Sequence, residues 1–376
     1  MFSSYLIYFS AILASILLAG AAQKYSTRNK KGISIPHRLF WFLSLIILIF
    51  IMGFRANSVG VDDLNYLRNY NIANSMNFFQ YYSTYVTEPG FYFLYKFVYV
   101  FFGDFQWLII ITSAITLTLF YKALSFEIEN ISLPLAIFIF ALTQYFYYFG
   151  IIRMGLSVAI IAFGFRYILR NEKKKYFLLV LLATLFHYSS LFGLILLFLN
   201  FNKSEKFKKS NLLKIILLIP VSFIFVRVFV FPFIGASRYQ GYIESDIGID
   251  FGFLSSLPFL VLFFYYYNKI PVSSKNYKHF QFYFFLFLIK VVTEIFAPII
   301  GIGRMVWYVN LSLCVLLPFT IKITKDFGVK MFLIAFTFFY CFIYSSYAYF
   351  ANSHRGMFLL PYKNIVSDFF VSFGGL

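Results

Sequence analysis

Long apolar runs separated by short basic loops are the feature that most constrains this 376-residue chain. Of its residues, 61% are hydrophobic and only 12% are charged, whereas a soluble domain has about 45–50% apolar and roughly 25% charged residues. A globular fold of this size cannot hide so much apolar surface from water. The sequence therefore predicts an all-α, polytopic integral membrane protein. It argues against a soluble enzyme, a nucleic-acid-binding protein and a secreted disulfide-rich domain.

Ten apolar runs are long enough to cross a hydrocarbon core that is about 30 Å thick. The predicted spans cover residues 3–22, 39–54, 106–122, 133–150, 154–170, 212–231, 253–268, 281–300, 305–322 and 331–350. No second domain is evident, so residues 1–376 are treated as a single membrane domain. Its main outer loops are predicted at about 55–90 and 232–252.

The distribution of positive charge sets the orientation of these spans. Of the 32 Lys and Arg residues, 22 fall in the loops that alternate with the outer ones, and such loops face the cytoplasm. The net charge of +18 is therefore explained by the positive residues of the cytoplasmic loops. Ten spans place both termini outside, which is the periplasm if the host is Gram-negative. The Phe-, Tyr- and Lys-rich composition suits a bacterial inner membrane, so a multi-pass protein of that membrane is predicted.

Two further apolar segments do not fit a simple crossing. Phe177–Leu199 has basic residues on both flanks, which requires an even number of crossings, yet each limb is too short to cross. We interpret it as a re-entrant or broken pair with His187 at the tip, shielded by protein or water. Phe91–Phe102 is likewise predicted to be interfacial or re-entrant. The alternative has twelve spans, in which both segments cross.

Lysine and arginine are distributed differently between the two faces. The cytoplasmic loops hold 18 Lys and 4 Arg, whereas only three Lys lie outside or at depth. Guanidinium groups bind phosphate through paired hydrogen bonds, which an ammonium group does not do. The arginines predicted outside or at depth are Arg55, Arg68, Arg153, Arg227, Arg238, Arg304 and Arg355. This set predicts a phosphate-bearing anionic ligand at the outer face.

Several motifs of soluble catalysis are missing from the sequence. It contains no Walker A loop, no HExxH, no GxSxG and no Asp-x-Asp pair of the kind that holds a metal in many sugar-nucleotide enzymes. An ATP-driven pump and a nucleotide-sugar enzyme are therefore disfavoured.

The outer loop after the second span carries paired acids. Asp62 and Asp63 precede Tyr66 and Tyr70, which share a helical face with Asp62. The acids could simply begin a helix. Alternatively, one carboxylate acts as a general base or binds sugar, and the tyrosine rings stack on sugar faces. Arg238 lies with Tyr239 and Tyr242 in the later loop, in a similar mixture of guanidinium and aromatic groups.

Four other polar residues lie at or near the membrane. Glu88 precedes Pro89, and its alternative role is a loop acid bonded to backbone. Arg153 lies between two apolar runs, where a charge costs about 2.5–3.5 kcal/mol, so it has a partner or function unless it reaches the headgroups. Arg304 follows a glycine turn and opens a span. His187 is either a buried core residue or a catalytic group at the predicted break.

The order of these features resembles the bacterial EpsG-like and Wzy-type O-antigen polymerases. The resemblance covers about residues 40 to 365 and rests on loose motifs. They are Phe54-Arg55 with Gly60, Asp62, Tyr66 and Tyr70; Glu88-Pro89-Gly90-Phe91; Arg153; Ala183 to Ser189 around His187; Arg304 with Tyr308; and Pro361-Tyr362. Because Asp63 adjoins Asp62, either acid could be the one that matches the family.

This resemblance implies a lipid-linked glycosyltransferase. It would move a growing glycan from undecaprenyl diphosphate onto the next undecaprenyl-diphosphate-linked repeat unit at the periplasmic face, without metal or cofactor. Other partners would be membrane lipid and, in some systems, a chain-length regulator. Arg55, Arg153, Arg238 and Arg304 are then assigned to the diphosphate, and Asp62, Glu88 and His187 are the candidate bases. The residues expected to contact the sugars are Tyr66, Tyr70, Tyr239 and Tyr242. An O-antigen ligase-like transferase and a lipid-linked oligosaccharide flippase are the alternatives.

Overall fold

The structure is a computed structural model that describes residues 2–30, 32–85, 88–199, 217, 219–221, 251–274, 276–300, 303–350 and 358–365. The predicted span at 212–231 and the predicted loop at 232–252 lie almost entirely outside these residues. Within the described part the chain is helical apart from short connections and one small hairpin of strands, β1 (Thr27–Arg28) and β2 (Ser34–Ile35). The all-α fold class is confirmed.

The described residues of the first half of the chain form ten α-helices. They are α1 (Phe2–Lys24), α2 (Arg38–Gly53), α3 (Asp63–Ser75), α4 (Phe78–Tyr85), α5 (Pro89–Phe102), α6 (Gln106–Phe126), α7 (Leu133–Phe140), α8 (Tyr147–Gly150), α9 (Ile152–Leu169) and α10 (Lys173–Thr184). A π-helical turn, Ala141–Tyr145, joins α7 to α8, and a 3₁₀ segment, Tyr188–Phe198, follows α10.

The described part of the second half adds four helices. They are α11 (Leu257–Lys269), α12 (Tyr277–Ile300), α13 (Leu311–Ile323) and α14 (Phe327–Ser345). Short 3₁₀ segments, Phe251–Ser256 and Gly303–Tyr308, precede α11 and α13, and a π-helical turn, Ser346–Phe350, extends α14.

Helix length and apolarity agree with a membrane protein. Among the described residues, five helices are long and apolar enough to cross a membrane: α1, α6, α9, α12 and α14 with its extension. Four shorter apolar helices accompany them, at Arg38–Gly53, Leu133–Tyr145, Tyr188–Phe198 and Leu311–Ile323. The main hydrophobic core is formed between these helices. The ten-span topology itself stays a prediction.

The segment around His187 folds as a helical hairpin. α10 ends at Thr184, and the 3₁₀ segment begins at Tyr188 and runs back along it. The two ends meet, because Lys173 Nζ donates a hydrogen bond of 2.8 Å to the Leu197 carbonyl. The break is therefore present at the predicted position. This geometry contradicts a single crossing through 177–199, which the twelve-span alternative requires.

Helices α3, α4 and α5 form a separate outer layer with its own aromatic core against the ends of α6 and α9. α5 is amphipathic: Phe91 and Tyr95 are buried, whereas Phe93 and Phe101 are exposed. Such a helix suits the membrane interface, as predicted for 91–102.

The segment 358–365 is bonded to the end of α2 and to the loop that follows it. Its backbone pairs with the loop after α2, through Ala56 N to Lys363 O at 2.9 Å and Ile365 N to Phe54 O at 3.1 Å. The Tyr362 hydroxyl donates to the Ile51 carbonyl at 3.0 Å. These bonds fix the exit of the chain from α2.

Candidate active site

Three of the predicted site residues meet at the N-terminal end of α9. Arg153 Nη1 donates a hydrogen bond of 2.9 Å to Glu88 Oε2. His187 Nδ1 lies 3.3 Å from the other carboxylate oxygen, Oε1. The Glu88 side chain is fully buried, whereas 22% of the Arg153 side chain and 23% of the His187 side chain are exposed. The carboxylate thus positions two groups that a ligand can still reach.

Each residue reaches this point from a helix end. Glu88 directly precedes α5, where Pro89 fits the first turn because that turn needs no N–H donor there. Arg153 lies in the first turn of α9, and His187 lies at the tip of the α10 hairpin. On an uninterrupted helix, side chains that share a face are spaced along the helix axis. Residues at the ends of three different segments can instead converge on one point.

Gly90 allows the α5 start to approach the hairpin closely. Its N–H donates to the Leu185 carbonyl at 2.8 Å. A Cβ atom at this position would lie only 2.7 Å from the same carbonyl oxygen. Any larger residue would force the two segments apart, so glycine is required by their close approach.

Tyr66 covers the guanidinium group of Arg153. The Arg153 Cζ atom lies 5.5 Å from the centre of the Tyr66 ring, within cation–π range. Burial raises the pKa of Tyr66 to about 12, although the charge of Arg153 opposes this shift. The phenol is therefore neutral at physiological pH and leaves the positive charge of Arg153 intact. The ring is only 4% exposed, so in this structure it has little open face for sugar stacking.

A tyrosine that was not predicted as a site residue braces the hairpin tip. The Tyr308 hydroxyl lies 3.1 Å from Ser157 Oγ and 2.9 Å from Ser189 Oγ. Ser157 is one turn beyond Arg153 on α9, and Ser189 is two residues beyond His187. The spacing of Arg304 and Tyr308 was the only sequence signal for this contact.

The structure distinguishes Asp63 from Asp62. Asp63 is fully buried and accepts hydrogen bonds from Arg55 Nε at 2.9 Å and Nη2 at 3.0 Å. Burial raises the pKa of Asp63 to about 6, and the adjacent Arg55 guanidinium opposes the shift. Asp62 is partly exposed and precedes α3 without a side-chain capping bond. Of the two acids, only Asp62 is open to a ligand.

Arg55, predicted to bind diphosphate, lies in the interior. Besides its bonds to Asp63, it donates to the carbonyls of Val59, Met52 and Phe149, so each of its three nitrogens already donates. Its side chain is 0% exposed. In this structure Arg55 holds the loop after α2 against α8, away from any ligand surface.

Tyr70 is buried too, and its hydroxyl donates to the Gly103 carbonyl at 3.3 Å. It packs in the outer aromatic core, with no ring face open to a sugar.

Arg304 is exposed at the start of the 3₁₀ segment that ends in Tyr308. Arg238, Tyr239 and Tyr242 lie outside the described residues.

The cluster combines a partly accessible cation with a partly accessible imidazole. One buried carboxylate orients both, so the site can bind an anion next to a group that accepts a proton. Within the described ranges, no group of three His, Cys, Asp or Glu side chains is arranged to hold a metal ion.

A comparison with protein families finds one match. The model described as the EpsG family matches residues 38–364, which include every residue of this cluster. No curated protein and no solved structure matches the chain.

Proposed function

The chain belongs to the EpsG family, and on that premise we propose that it polymerises lipid-linked oligosaccharide repeat units. The donor is a glycan on undecaprenyl diphosphate, and the acceptor is the terminal sugar of the next lipid-linked unit, in the synthesis of an O-antigen or capsule-like polysaccharide. The observation that carries the proposal is the convergence of Glu88, Arg153 and His187. A diphosphate leaving group and an acceptor hydroxyl require an accessible cation beside an accessible base.

The reaction exchanges one bond for another. The acceptor hydroxyl oxygen attacks the anomeric carbon of the donor sugar and forms the new glycosidic bond. The bond between that carbon and the diphosphate oxygen breaks, and its electron pair leaves with the diphosphate. The hydroxyl proton passes to a base. The diphosphate is already a weak base, so it needs charge neutralisation more than protonation.

Arg153 supplies the neutralising charge in this proposal. Its guanidinium group is held in place by Glu88 and Tyr66 before substrate arrives, and preorganised donors stabilise developing charge without reorganising. Arg304 is the second candidate, because its 3₁₀ segment is bonded through Tyr308 to the same helix. Arg55 is left out of the diphosphate set, since its nitrogens already donate inside the protein.

His187 is our first choice of base. Its Nδ1 faces Glu88, so Nε2 on the opposite side of the ring points away from the carboxylate. A buried carboxylate that orients an imidazole also stabilises the imidazolium formed on protonation. Glu88 then acts as a positioning residue, because it is fully buried between its two partners. Asp62, partly exposed, is the second candidate base.

The proposal places this site at the outer face of the bacterial inner membrane. The charge distribution supports that orientation, since the lysine-rich loops fall at the opposite ends of the helices. The ten-span topology, with both termini in the periplasm, belongs to the same proposal.

Polysaccharide analysis of a deletion strain tests the function. If the chain is a polymerase, gels of the lipopolysaccharide should show core carrying a single repeat unit. Bare core would instead indicate either a ligase or a flippase, because without a flippase no lipid-linked unit reaches the outer face. Full-length chains would refute the polymerase, the ligase and the flippase alike.

Purified protein separates the polymerase from the flippase. In detergent, lipid-linked repeat units should be converted to longer lipid-linked glycans without ATP or nucleotide sugar. His187→Ala and Asp62→Asn should then be compared at equal protein. We expect His187→Ala to lose the activity and Asp62→Asn to keep it; the reverse result would transfer the role of base to Asp62.

A further inference from the structure

A large apolar groove is lined by none of the residues of the proposed active site. It has a volume of about 760 Å³ and opens between α1, α7, α13 and α14. Its walls are aliphatic and aromatic, and they include Ile16, Leu142 and Ile334. Pro318 also lines it, and a proline within a helix disturbs regular packing because it removes a backbone donor and crowds the preceding turn.

The groove is open to the bilayer. Two of its walls, α1 and α14, are the least buried of the membrane-length helices, with 28% and 17% of their apolar windows inside the protein. Phe338 and Phe342 line the groove and are themselves 42% and 45% exposed. A molecule dissolved in the membrane can therefore enter sideways.

The length of the groove matches one membrane leaflet. Along α14 the lining runs from Lys330 to Phe342, which corresponds to about 18 Å at 1.5 Å per residue. One leaflet of a hydrocarbon core that is about 30 Å thick measures roughly 15 Å. The groove therefore accommodates an acyl chain of one leaflet, not a chain that extends across the whole membrane.

Two cations mark one end of the groove. Lys322 and Lys330 are the charged residues of its lining, and both lie at the lysine-rich ends of their helices. Lys322 Nζ donates to the Glu129 carbonyl at 2.8 Å, which holds the ammonium group at the rim while leaving it exposed. The Asp326 carboxylate lies before the first turn of α14, where it accepts a hydrogen bond of 2.7 Å from Val329 N and caps the helix.

From this combination we infer that the groove binds an anionic phospholipid of the cytoplasmic leaflet. One acyl chain lies along the apolar walls, and the phosphate group lies between Lys322 and Lys330. Lysines near a membrane surface attract anionic lipids, and the leaflet they face is the anionic one. The site is separate from the polymerisation chemistry and would persist if that function were reassigned.

Native mass spectrometry of the full-length protein tests the inference. Protein released from nanodiscs of phosphatidylglycerol and phosphatidylethanolamine in equal amounts should retain phosphatidylglycerol preferentially. Replacing both cations, in Lys322→Gln/Lys330→Gln, should reduce that preference about tenfold. The matched control is Lys174→Gln/Lys269→Gln, which removes two exposed lysines at helix ends outside the groove and should leave the preference unchanged.

A second pair of variants tests the apolar part of the site. Ile334→Trp fills the groove and should reduce retention of phosphatidylglycerol, whereas Phe339→Trp, on the lipid-exposed surface of the same helix outside the groove, should not. Equal retention of both lipids by the wild type would overturn the inference. So would an unchanged preference in the double lysine variant, or displacement of phosphatidylglycerol by an equal amount of undecaprenyl phosphate.

Discussion

Two pairs of glutamate and histidine lie at opposite ends of this molecule. At one end, Glu88 Oε1 and His187 Nδ1 are 3.3 Å apart. At the other end, Glu127 Oε2 and His279 Nδ1 are 2.8 Å apart. Both carboxylates are fully buried, and both imidazoles are about a quarter exposed. Judged on this geometry alone, the Glu127–His279 pair is the better formed.

The surroundings of the two pairs differ. Glu127 ends α6 and also accepts a hydrogen bond of 2.6 Å from Asn130, while His279 lies in the first turn of α12. That pair joins two helix ends. Glu88 instead lies where three separate segments meet around a partly exposed arginine, Arg153. A glutamate–histidine pair therefore becomes a candidate site only when a third, accessible functional group is fixed beside it.

The largest effect is expected from His187→Ala, and His279→Ala is its matched control. His187→Ala should reduce polymerisation by about 10²–10⁴, the usual contribution of a general base. His279→Ala breaks a similar pair but should leave polymer synthesis close to wild type. Chain-length ladders at matched protein levels measure both. Equal losses of polymer in the two variants would contradict the assignment of catalysis to the Glu88–His187 pair alone.

Exchanging arginine for lysine at the two ends of α9 sharpens the comparison. Arg153→Lys keeps the charge but loses the planar fork, so polymerisation should fall by about 10²–10³. Arg166→Lys, at the C-terminal end of the same helix, removes a guanidinium group that lies over the Phe163 ring and should have little effect. Initial rates with purified protein would test this, and a normal rate for Arg153→Lys would exclude bidentate binding by this residue.

The close approach that brings Glu88 to His187 can be tested at Gly90. Because its Cβ would lie 2.7 Å from the Leu185 carbonyl oxygen, Gly90→Ala should shift the carboxylate and reduce the rate by about 10-fold to 100-fold. In Gly20→Ala the new Cβ lies at an ordinary 3.8 Å from Pro134, so this variant serves as the control. The same assay applies, and wild-type activity of Gly90→Ala would show that this contact does not position Glu88.

The smallest effect is expected from the tyrosine that braces the hairpin. Tyr308→Phe loses the hydroxyl bonded to Ser157 and Ser189, and the rate should fall by up to about tenfold, as for loss of one to two buried hydrogen bonds. Tyr121→Phe removes a hydroxyl that bridges Ser15 and Ser44 in the same manner, away from the candidate site. It should lower thermal stability only, and a comparable loss of activity in both variants would mean that Tyr308 acts through overall stability.

The features that the sequence predicted well are those set by local windows. The apolar runs predicted the positions of α1, α6, α9, α12 and α14, and flanking charge predicted the break at His187. Glu88, Arg153 and His187 were singled out as individual residues because each is a polar group in an apolar setting.

The roles of the loop residues were predicted less well. Asp62 and Asp63 could not be separated in the sequence because they are adjacent and identical. The structure separates them, since the backbone turn at Gly60 directs Asp63 inward to Arg55. Arg55 itself was placed with the ligand-binding arginines on the basis of its predicted outer position, and burial removed it from that set.

The sequence by itself determined the helical membrane class, the lysine-rich face and the residues with an unusual environment. These properties depend on hydrophobic transfer and charge summed over about 20 neighbouring residues, which any chain with this composition would share. Only the tertiary structure decided that Glu88 meets Arg153 across 65 positions and that Tyr308 meets Ser189 across 119. Such contacts depend on how helices pack and where their ends fall, and no local pattern of hydrophobicity encodes that.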